Sequence, residues 1–253
     1  MTGRENADLI LEKIKKEDSK KGRLKIFFGY AAGVGKTYAM LKAAHRAKEQ
    51  GTDVVAGYIE PHARPETMRL AQGLETIKPL AVSYKSITLN EFDLDAALAR
   101  KPELILVDEL AHTNAEGCRH VKRYQDIEEL LRAGIDVYTT VNVQHIESLC
   151  DIVASISGTI VRERIPDRIF DEADQVELVD IEPAELVKRL GQGKIYKSDR
   201  AEKALENFFT EDNLTSLREI ALRRAADRVN RLSEKTKRPA EGGYTDEHIL
   251  VGL

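Results

Sequence analysis

The sequence predicts an α/β fold in which helices cover both faces of a mostly parallel sheet, followed by a helical C-terminal extension. Short β-branched runs alternate with segments of helical periodicity from Arg23 to about residue 182, a pattern typical of parallel sheets. From Pro183 onward the periodicity is nearly all helical, and we detect no internal repeat. The apolar residues, 42% of the chain, are sufficient for a packed core.

Six apolar runs predict the strands, at 24–28, 53–59, 81–86, 103–109, 135–143 and 176–181. Between them, apolar residues recur with helical spacing and predict helices at 36–50, 65–74, 92–100, 125–134 and 146–156. Gly51 and Gly134 stand where two of these helices end, as glycine commonly does. In the C-terminal extension, helices are predicted within 183–193, 204–209 and 213–232.

Length, charge and cysteine content exclude several classes of protein. The 253 residues allow one sizeable domain, or one domain with an appendage. A net charge of −4 without a basic recognition motif argues against general nucleic-acid binding. Two cysteines are too few for a disulfide scaffold, so a reducing, cytoplasmic setting is expected. We expect neither a membrane span, which needs about 18 apolar residues, nor a signal peptide.

A glycine-rich loop between the first strand and the first helix is the strongest functional signal. Residues 29–37 read Gly-Tyr-Ala-Ala-Gly-Val-Gly-Lys-Thr, in the strand–loop–helix context of a phosphate-binding loop. Glycines let backbone N–H groups converge on phosphate oxygens, and the helix N-terminus adds partial positive charge. The alternative, a glycine-rich turn followed by an incidental Lys-Thr, is disfavoured by this context. The sequence therefore predicts a P-loop NTPase-like fold.

The predicted cofactors are ATP and Mg²⁺. Lys36 is expected to reach the β- and γ-phosphates, and the Thr37 hydroxyl to bind Mg²⁺. The strict motif spacing places Tyr30, rather than a glycine, at its first position. The predicted nucleotide-binding residues are Gly29, Ala32, Gly33, Val34, Gly35, Lys36, Thr37 and Tyr38.

An acidic pair ends the apolar run at 103–109. Asp108 is the predicted carboxylate on the metal side, acting through the water shell of Mg²⁺, and Glu109 is placed to orient or deprotonate a water or a substrate hydroxyl. The alternative is two surface acids after a core strand. The phosphate loop some seventy residues upstream favours the functional interpretation.

Further polar residues follow two other predicted strands. In a parallel sheet, the residues that follow these strands line the same crevice as the loop. There they are expected either to sense the γ-phosphate or to hold a second ligand. Capping and loop hydrogen bonds are an equally supported alternative. Glu60 is also a second candidate base. The residues are Glu60, His62 and Arg64 after the second strand, and Asn142, Gln144 and His145 after the fifth.

We find no further catalytic or metal-binding motif in the sequence. His112 and His120 flank Cys118, but their spacing matches no defensible zinc site. Serine-hydrolase and metalloprotease motifs are absent from the sequence.

Three stretches resemble the N-terminal cytoplasmic domain of the KdpD family, the potassium- and osmotic-stress-responsive sensor histidine kinases of bacteria. They read GVGKTYAML, VDELAHTN and RAGIDVYTTVNVQHIESL, and the likeness covers about residues 22–232. Departures from the family pattern are modest. Tyr30 stands where the family usually has alanine, Ala32 where it has proline or alanine, and 60–64 match its Glu-Thr-His-Gly-Arg imperfectly.

The resemblance implies a cytoplasmic ATP-binding regulatory domain. In such proteins it precedes a universal-stress-protein-like domain, four transmembrane helices, a GAF domain and the histidine-kinase core. The implied location is the inner face of the plasma membrane, and the implied partners are those domains or a separate kinase or response regulator. The expected divisions are a polar lead-in at 1–22, the sensor domain at 23–232, a linker at 233–245 and a truncated universal-stress-protein-like domain at 246–253.

Three functions compete at this point. The first is a regulatory module that binds Mg-ATP and biases a distant kinase–phosphatase balance. The second is an ATPase, or a kinase acting on a small molecule or protein, with Glu109 or Glu60 as base. The third, a DNA-associated ATPase, is disfavoured by the net charge. The chain has no histidine-kinase phosphoacceptor box, so phosphorelay chemistry is not expected of it.

The helix predicted at 213–231 allows two interpretations. It either packs on the nucleotide domain and transmits its state, or is a core helix whose basic C-terminal turn is solvated and stabilised by the helix dipole. The basic residues concerned are Arg223, Arg224, Arg228 and Arg231.

Overall fold

The computed structural model describes residues 21–60, 65–84, 87–191 and 208–236. The strands within these residues are β1 (Leu24–Gly29), β2 (Val54–Tyr58), β3 (Glu75–Thr76), β4 (Leu80–Tyr84), β5 (Ile87–Glu91), β6 (Leu104–Val107), β7 (Asp136–Asn142) and β8 (Gln175–Leu178). Six of them form one sheet in the order β3-β2-β6-β7-β1-β8, and all neighbours run parallel. The predicted parallel α/β sheet is therefore confirmed.

Helices connect the strands and form the C-terminal extension. They are α1 (Lys36–Glu49), α2 (Pro65–Ala71), α3 (Leu94–Arg100), α4 (Arg123–Arg132), α5 (Cys150–Ser157), α6 (Asp167–Asp171), α7 (Pro183–Gly191) and α8 (Glu211–Thr236). In the described part of the chain, no helix combines the length and apolar character that crossing a membrane requires.

Alternate residues of the sheet pack into two apolar layers. On β1, Ile26 and Phe28 belong to one layer, which α3, α4, α5, α7 and α8 cover, while Phe27 belongs to the other, which α1 covers. The α1 side chains in that second layer are Met40, Leu41, Ala43 and Ala44. This division follows from the two-residue period of a strand. Helices therefore cover both faces, as predicted.

Two local predictions differ from the structure. The strand predicted at 81–86 is present as β4, but it pairs antiparallel with β5 in a hairpin outside the main sheet. Ala81, Ser83, Thr88 and Asn90 are exposed on one face of this hairpin, as antiparallel strands permit. The helix predicted at 146–156 begins only at Cys150, because two 3₁₀ turns, Val143–His145 and Glu147–Leu149, precede it. Neither β5 nor the short α6 was predicted.

Several predicted segments fall wholly or partly outside the described residues. These are 1–20 of the lead-in, 85–86 of the third predicted strand, 192–193 and 204–207 of the helices predicted at 183–193 and 204–209, 237–245 of the linker and the last strand at 246–253. Helix α8 continues to Thr236, so the beginning of the predicted linker is helical.

Two of the four basic residues near the end of α8 do not belong to a solvated C-terminal turn. Arg224 and Arg228 are buried, at 5% and 6% exposure. Arg224 donates to Asp171 of α6 at 2.7 Å and stacks on Phe170, with 4.7 Å between the guanidinium carbon and the ring centroid. Arg228 donates to the backbone carbonyls of Phe170 and Ala173. That interpretation is therefore wrong for these two residues, which tie α8 to the domain.

Replacing Arg228 with leucine is expected to lower the free energy of unfolding by about 1–3 kcal/mol, because two buried carbonyls lose their donor. Arg223→Leu is the matched control, since Arg223 is exposed on the same helix and pairs with Glu219. It should change the free energy by less than about 0.5 kcal/mol. Denaturant unfolding of the purified chain measures both, and equal effects would show that burial of Arg228 contributes nothing.

Candidate functional site

A cleft of about 770 Å³ opens at one edge of the main sheet. The carboxyl ends of β1, β2, β6 and β7 meet there because these strands are parallel, and such edges are where open α/β sheets bind ligands. The cleft is lined by loop residues 32–38 and by side chains that follow the other strands, among them Glu60, Asp108, Glu109, Asn142 and His145. Five of the predicted residues outside the loop thus share one cavity.

The loop between β1 and α1 is shaped by glycines. Gly33 (φ 88°) and Gly35 (φ 110°) adopt the left-handed conformation that side chains rarely tolerate. Gly35 is the N-cap of α1, and among the described residues no side chain caps this helix end, nor is there an acid in its first turn. The first N–H groups of α1 therefore stand at the cleft with the positive end of the helix dipole. An anion is the ligand that this end of a helix favours.

Gly29 and Tyr30 begin the glycine-rich loop and pack against neighbouring segments. A Cβ at Gly29 would lie 2.6 Å from Val34 Cγ2, so only glycine fits. Tyr30 is buried, and its hydroxyl donates to the Ile181 carbonyl at 3.0 Å. Burial raises the pKa of this hydroxyl to about 12. Both residues shape the loop rather than line the cleft.

Lys36 is the buried cation of the site. Its side chain lies in the cleft at the start of α1, and Nζ donates to the Ala31 carbonyl at 3.0 Å. Burial lowers the pKa of the ammonium to about 8, while the nearby carboxylates of Asp108 and Glu109 oppose that shift. An anion bound by the loop would add attraction that favours the charged form of Lys36.

Asp108 is 1% exposed, and its carboxylate receives three hydrogen bonds. The Thr37 hydroxyl donates to Oδ2 at 3.0 Å, the Thr140 hydroxyl donates to Oδ1, and the Glu109 N–H donates to Oδ1 at 3.1 Å. A buried carboxylate requires such donors. Because Thr37 lies in the first turn of α1 and Thr140 lies on β7, Asp108 joins both elements to the end of β6.

Glu109 has an unusual backbone conformation. Its φ of 60° lies in the left-handed region, where a non-glycine residue signals strain. Its N–H also reaches the Thr140 hydroxyl at 3.2 Å. Burial raises the pKa of its carboxyl to about 7, with the negative charges of Asp108 and Glu60 adding to the shift. Glu109 therefore has proton affinity suited to a base near neutral pH.

Arg123 is a site residue that the sequence analysis missed. It is fully buried, donates to the Asp108 carbonyl at 3.2 Å and to Glu91 at 3.1 Å, and its guanidinium lies 4.1 Å from the centroid of the Tyr58 ring. These contacts hold the peptide between Asp108 and Glu109. The sequence pattern offered no signal for Arg123, because it predicted this helix to begin only at residue 125.

The polar residues predicted after the second and fifth strands differ in where they lie. Asn142 and His145 line the cleft, and Oδ1 of Asn142 is buried with no hydrogen-bond partner among the described residues. His145 Nδ1 lies 2.9 Å from the Glu163 carbonyl, and burial lowers the pKa of its ring. Gln144 is not among the described residues that line the cleft. His62 and Arg64 lie outside the described residues.

The histidines near Cys118 bind carboxylates. His112 Nε2 lies 3.0 Å from Glu91, and His120 Nε2 lies 2.7 Å from Glu129. Within the ranges that the structure describes, no group of three or more His, Cys, Asp or Glu could hold a metal ion. Mg²⁺ needs no such group, since it commonly takes one or two protein ligands and completes its shell with water and phosphate oxygens.

The chemistry that the cleft permits follows from these parts. An uncapped helix end and Lys36 favour an anion at the loop. Oxygens of Thr37 and Asp108, 3.0 Å apart, offer a hard cation its preferred ligands beside that anion. Glu109 stands in the same cavity with a carboxyl that titrates near neutral pH. The arrangement suits a metal-bound polyphosphate.

Likeness to solved structures is weak. A crystal structure of a DNA replication initiation factor shares 12% identity at a TM-score of 0.36, over 93% of this chain and 66% of that one. AMPPCP-bound DnaA from Aquifex aeolicus shares 13% identity at a TM-score of 0.35, over 93% and 67%. At TM-scores this low, neither carries weight for fold or function.

Sequence relatives are much more similar. Sensor protein KdpD of Clostridium acetobutylicum is 66% identical over 223 residues, which are 87% of this chain and 25% of that protein. Sensor protein KdpD of Escherichia coli K12 is 57% identical over 83% of this chain and 24% of its own length. A putative sensor protein KdpD of Synechocystis is 52% identical over 92% and 62%. The chain thus spans about a quarter of the first two relatives.

One family model covers most of the chain. The model described as "KdpD: Osmosensitive K+ channel His kinase sensor domain" matches residues 20–229. This range contains every described residue that lines the cleft, from the glycine-rich loop to α7. The chain therefore belongs to the KdpD family, of which it contains the sensor domain.

Proposed function

We propose that this chain is a regulatory domain that binds Mg-ATP. The observation that carries the proposal is the 3.0 Å hydrogen bond from the Thr37 hydroxyl to Asp108, at the uncapped start of α1 and beside the buried Lys36. Phosphate-binding loops require this combination of a helix N-terminus, a lysine, a hydroxyl and a carboxylate.

Each group would take a definite part in binding. Lys36 and the N–H groups of 33–38 would hold the phosphates, and Thr37 would bind Mg²⁺ directly. Asp108 would hold the water shell of the ion, because its oxygens already accept bonds from Thr37 and Thr140. The buried Oδ1 of Asn142, which has no partner among the described residues, would accept a hydrogen bond from a water in that shell.

The regulatory part of the proposal follows from the family. The relatives are named sensor proteins, and this chain covers about a quarter of the length of two of them. We infer that the nucleotide state of this domain is passed to the remaining domains of the sensor kinase or to a separate kinase or response regulator. The setting would be the cytoplasm, at the inner face of the plasma membrane in a full-length protein.

A second candidate function is an ATPase or kinase. Glu109 favours it, because a carboxyl with a pKa of about 7 in the cleft is suited to deprotonate a water or a hydroxyl. Incubation with ATP labelled at the γ-phosphate separates the two candidates. Label on free phosphate indicates an ATPase and label on the protein an autokinase. Retention of all label in ATP, with binding shown by calorimetry, supports a binding module.

Replacing Lys36 with alanine is expected to weaken Mg-ATP binding at least about a hundredfold, because a methyl group cannot supply charge-assisted hydrogen bonds to phosphate. The fold should survive. Arg46→Ala, which removes an exposed cation from the same helix, is the matched control and should bind as the wild type does. Calorimetry at constant salt measures all three proteins, and wild-type affinity in Lys36→Ala would refute the site.

Replacing Asp108 with asparagine is expected to weaken binding about tenfold in Mg²⁺ and much less in EDTA. The reason is that only the metal complex uses the lost carboxylate charge. Titrations of ATP under both conditions, with a thermal unfolding curve for each protein, test this. Equal losses with and without metal would show that Asp108 is structural.

Helix α8 is expected to change its hydrogen-exchange protection across 213–231 when saturating Mg-ATP is added. A transmitting helix must make different contacts in the two states, because coupling requires such a difference. Lys36→Ala, exposed to the same nucleotide concentration, is the control and should show no change. Identical protection in the wild-type chain with and without nucleotide would show that α8 does not transmit the state.

A further inference from the structure

The sheet order gives the cleft two distinct ends. The glycine-rich loop follows β1, and Asp108 follows β6, with β7 between them. A metal held by Thr37 and Asp108 would therefore lie on the β7–β6 side of the loop. The opposite side of β1 is occupied by β8 and by the segment that joins β8 to α7. The two ends of an elongated ligand anchored on the loop would meet different walls.

The wall on the β8 side, formed by Val179, Ile181, Glu185 and Arg189, lines the same cleft. It lies directly against the loop. The Val179 N–H donates to the Phe28 carbonyl at 2.7 Å, and a Cβ added to Gly35 would lie 4.0 Å from Val179 Cγ1. Val179 and Ile181 are half-buried aliphatic side chains, and Glu185 and Arg189 form an ion pair at 3.1 Å beside them.

We propose that this β8 wall binds the base of the nucleotide. The inference rests on the proposed function, since it assumes that the loop holds the phosphates. The base would lie on the side of the loop away from the metal, where the wall supplies aliphatic surface for a planar ring and a polar pair at its edge. Mostly apolar surface with a few fixed polar groups is the usual composition of a small-molecule site.

The β8 wall is held in place from two directions. Arg218 of α8 donates to Asp180 at 2.6 Å and to Glu182 at 2.7 Å, while Tyr30 donates to the Ile181 carbonyl at 3.0 Å. Hydrogen bonds therefore hold three consecutive residues, 180–182. Two of them bind α8 and one binds the glycine-rich loop. Several charge-assisted hydrogen bonds from one guanidinium fix the positions of the groups that accept them, in addition to stabilising the contact. Tyr30 and Arg218 are thus positioning residues for the base.

Inorganic tripolyphosphate carries the phosphate groups of ATP without base or ribose, so it isolates the contribution of the loop. In the wild-type chain, Mg-ATP should bind at least about tenfold more tightly than magnesium tripolyphosphate.

Calorimetry on the purified chain and on three variants tests the proposal. Arg218→Gln should weaken Mg-ATP about tenfold and leave tripolyphosphate within about twofold, and Tyr30→Phe, which removes only a hydroxyl, should weaken Mg-ATP about threefold. Arg223→Gln, on the same helix but paired with Glu219, should change neither affinity. A thermal unfolding curve for each variant verifies that it is folded.

The outcomes separate this proposal from the one on which it rests. If the wild type binds neither ligand, the proposed function fails and the base site with it. If it binds both with equal affinity, or if Arg218→Gln and Tyr30→Phe weaken both ligands equally, the loop site stands and the base site is overturned. Selective loss of Mg-ATP affinity in the folded variants supports the β8 wall as the base site.

Discussion

The buried carboxylate of Asp108 is the constraint on which the site depends. A charge at 1% exposure is costly unless donors surround it, and here three donors do so: the Thr37 hydroxyl in the first turn of α1, the Thr140 hydroxyl on β7 and the N–H of the neighbouring Glu109. Satisfying this one group fixes the end of β6 against the glycine-rich loop across the intervening strand. The polar edge of the sheet is therefore built around one carboxylate.

Burial also shifts the pKa values of two ionisable side chains in the cleft. Desolvation lowers the pKa of Lys36 to about 8 and raises that of Glu109 to about 7, so both groups are less strongly ionised than in water. A bound anion beside Lys36 and a metal ion beside Asp108 would compensate these costs together. In the function proposed above, a metal–polyphosphate complex would compensate more of this cost than either component alone.

The C-terminal helix is part of this domain rather than an appendage to it. Arg224 and Arg228 bury their guanidinium groups against α6, and Arg218 is tied to the segment that lines one end of the cleft. A terminal helix that contacts both the core and a wall of the site is suited to report occupancy, provided that its contacts differ between states. The matched region makes up about a quarter of the length of two relatives.

Local patterns in the sequence determined much of this protein. Alternating apolar runs predicted the parallel sheet, and Gly33, Gly35, Lys36 and Thr37 marked the loop, because both signals depend on neighbours within a few residues. Only the tertiary structure revealed Arg123 behind Asp108, the Asn142 Oδ1 that has no partner among the described residues, and the wall held by Tyr30 and Arg218. These contacts join residues far apart in the chain. Their geometry depends on strand order and side-chain packing, which local periodicity does not encode.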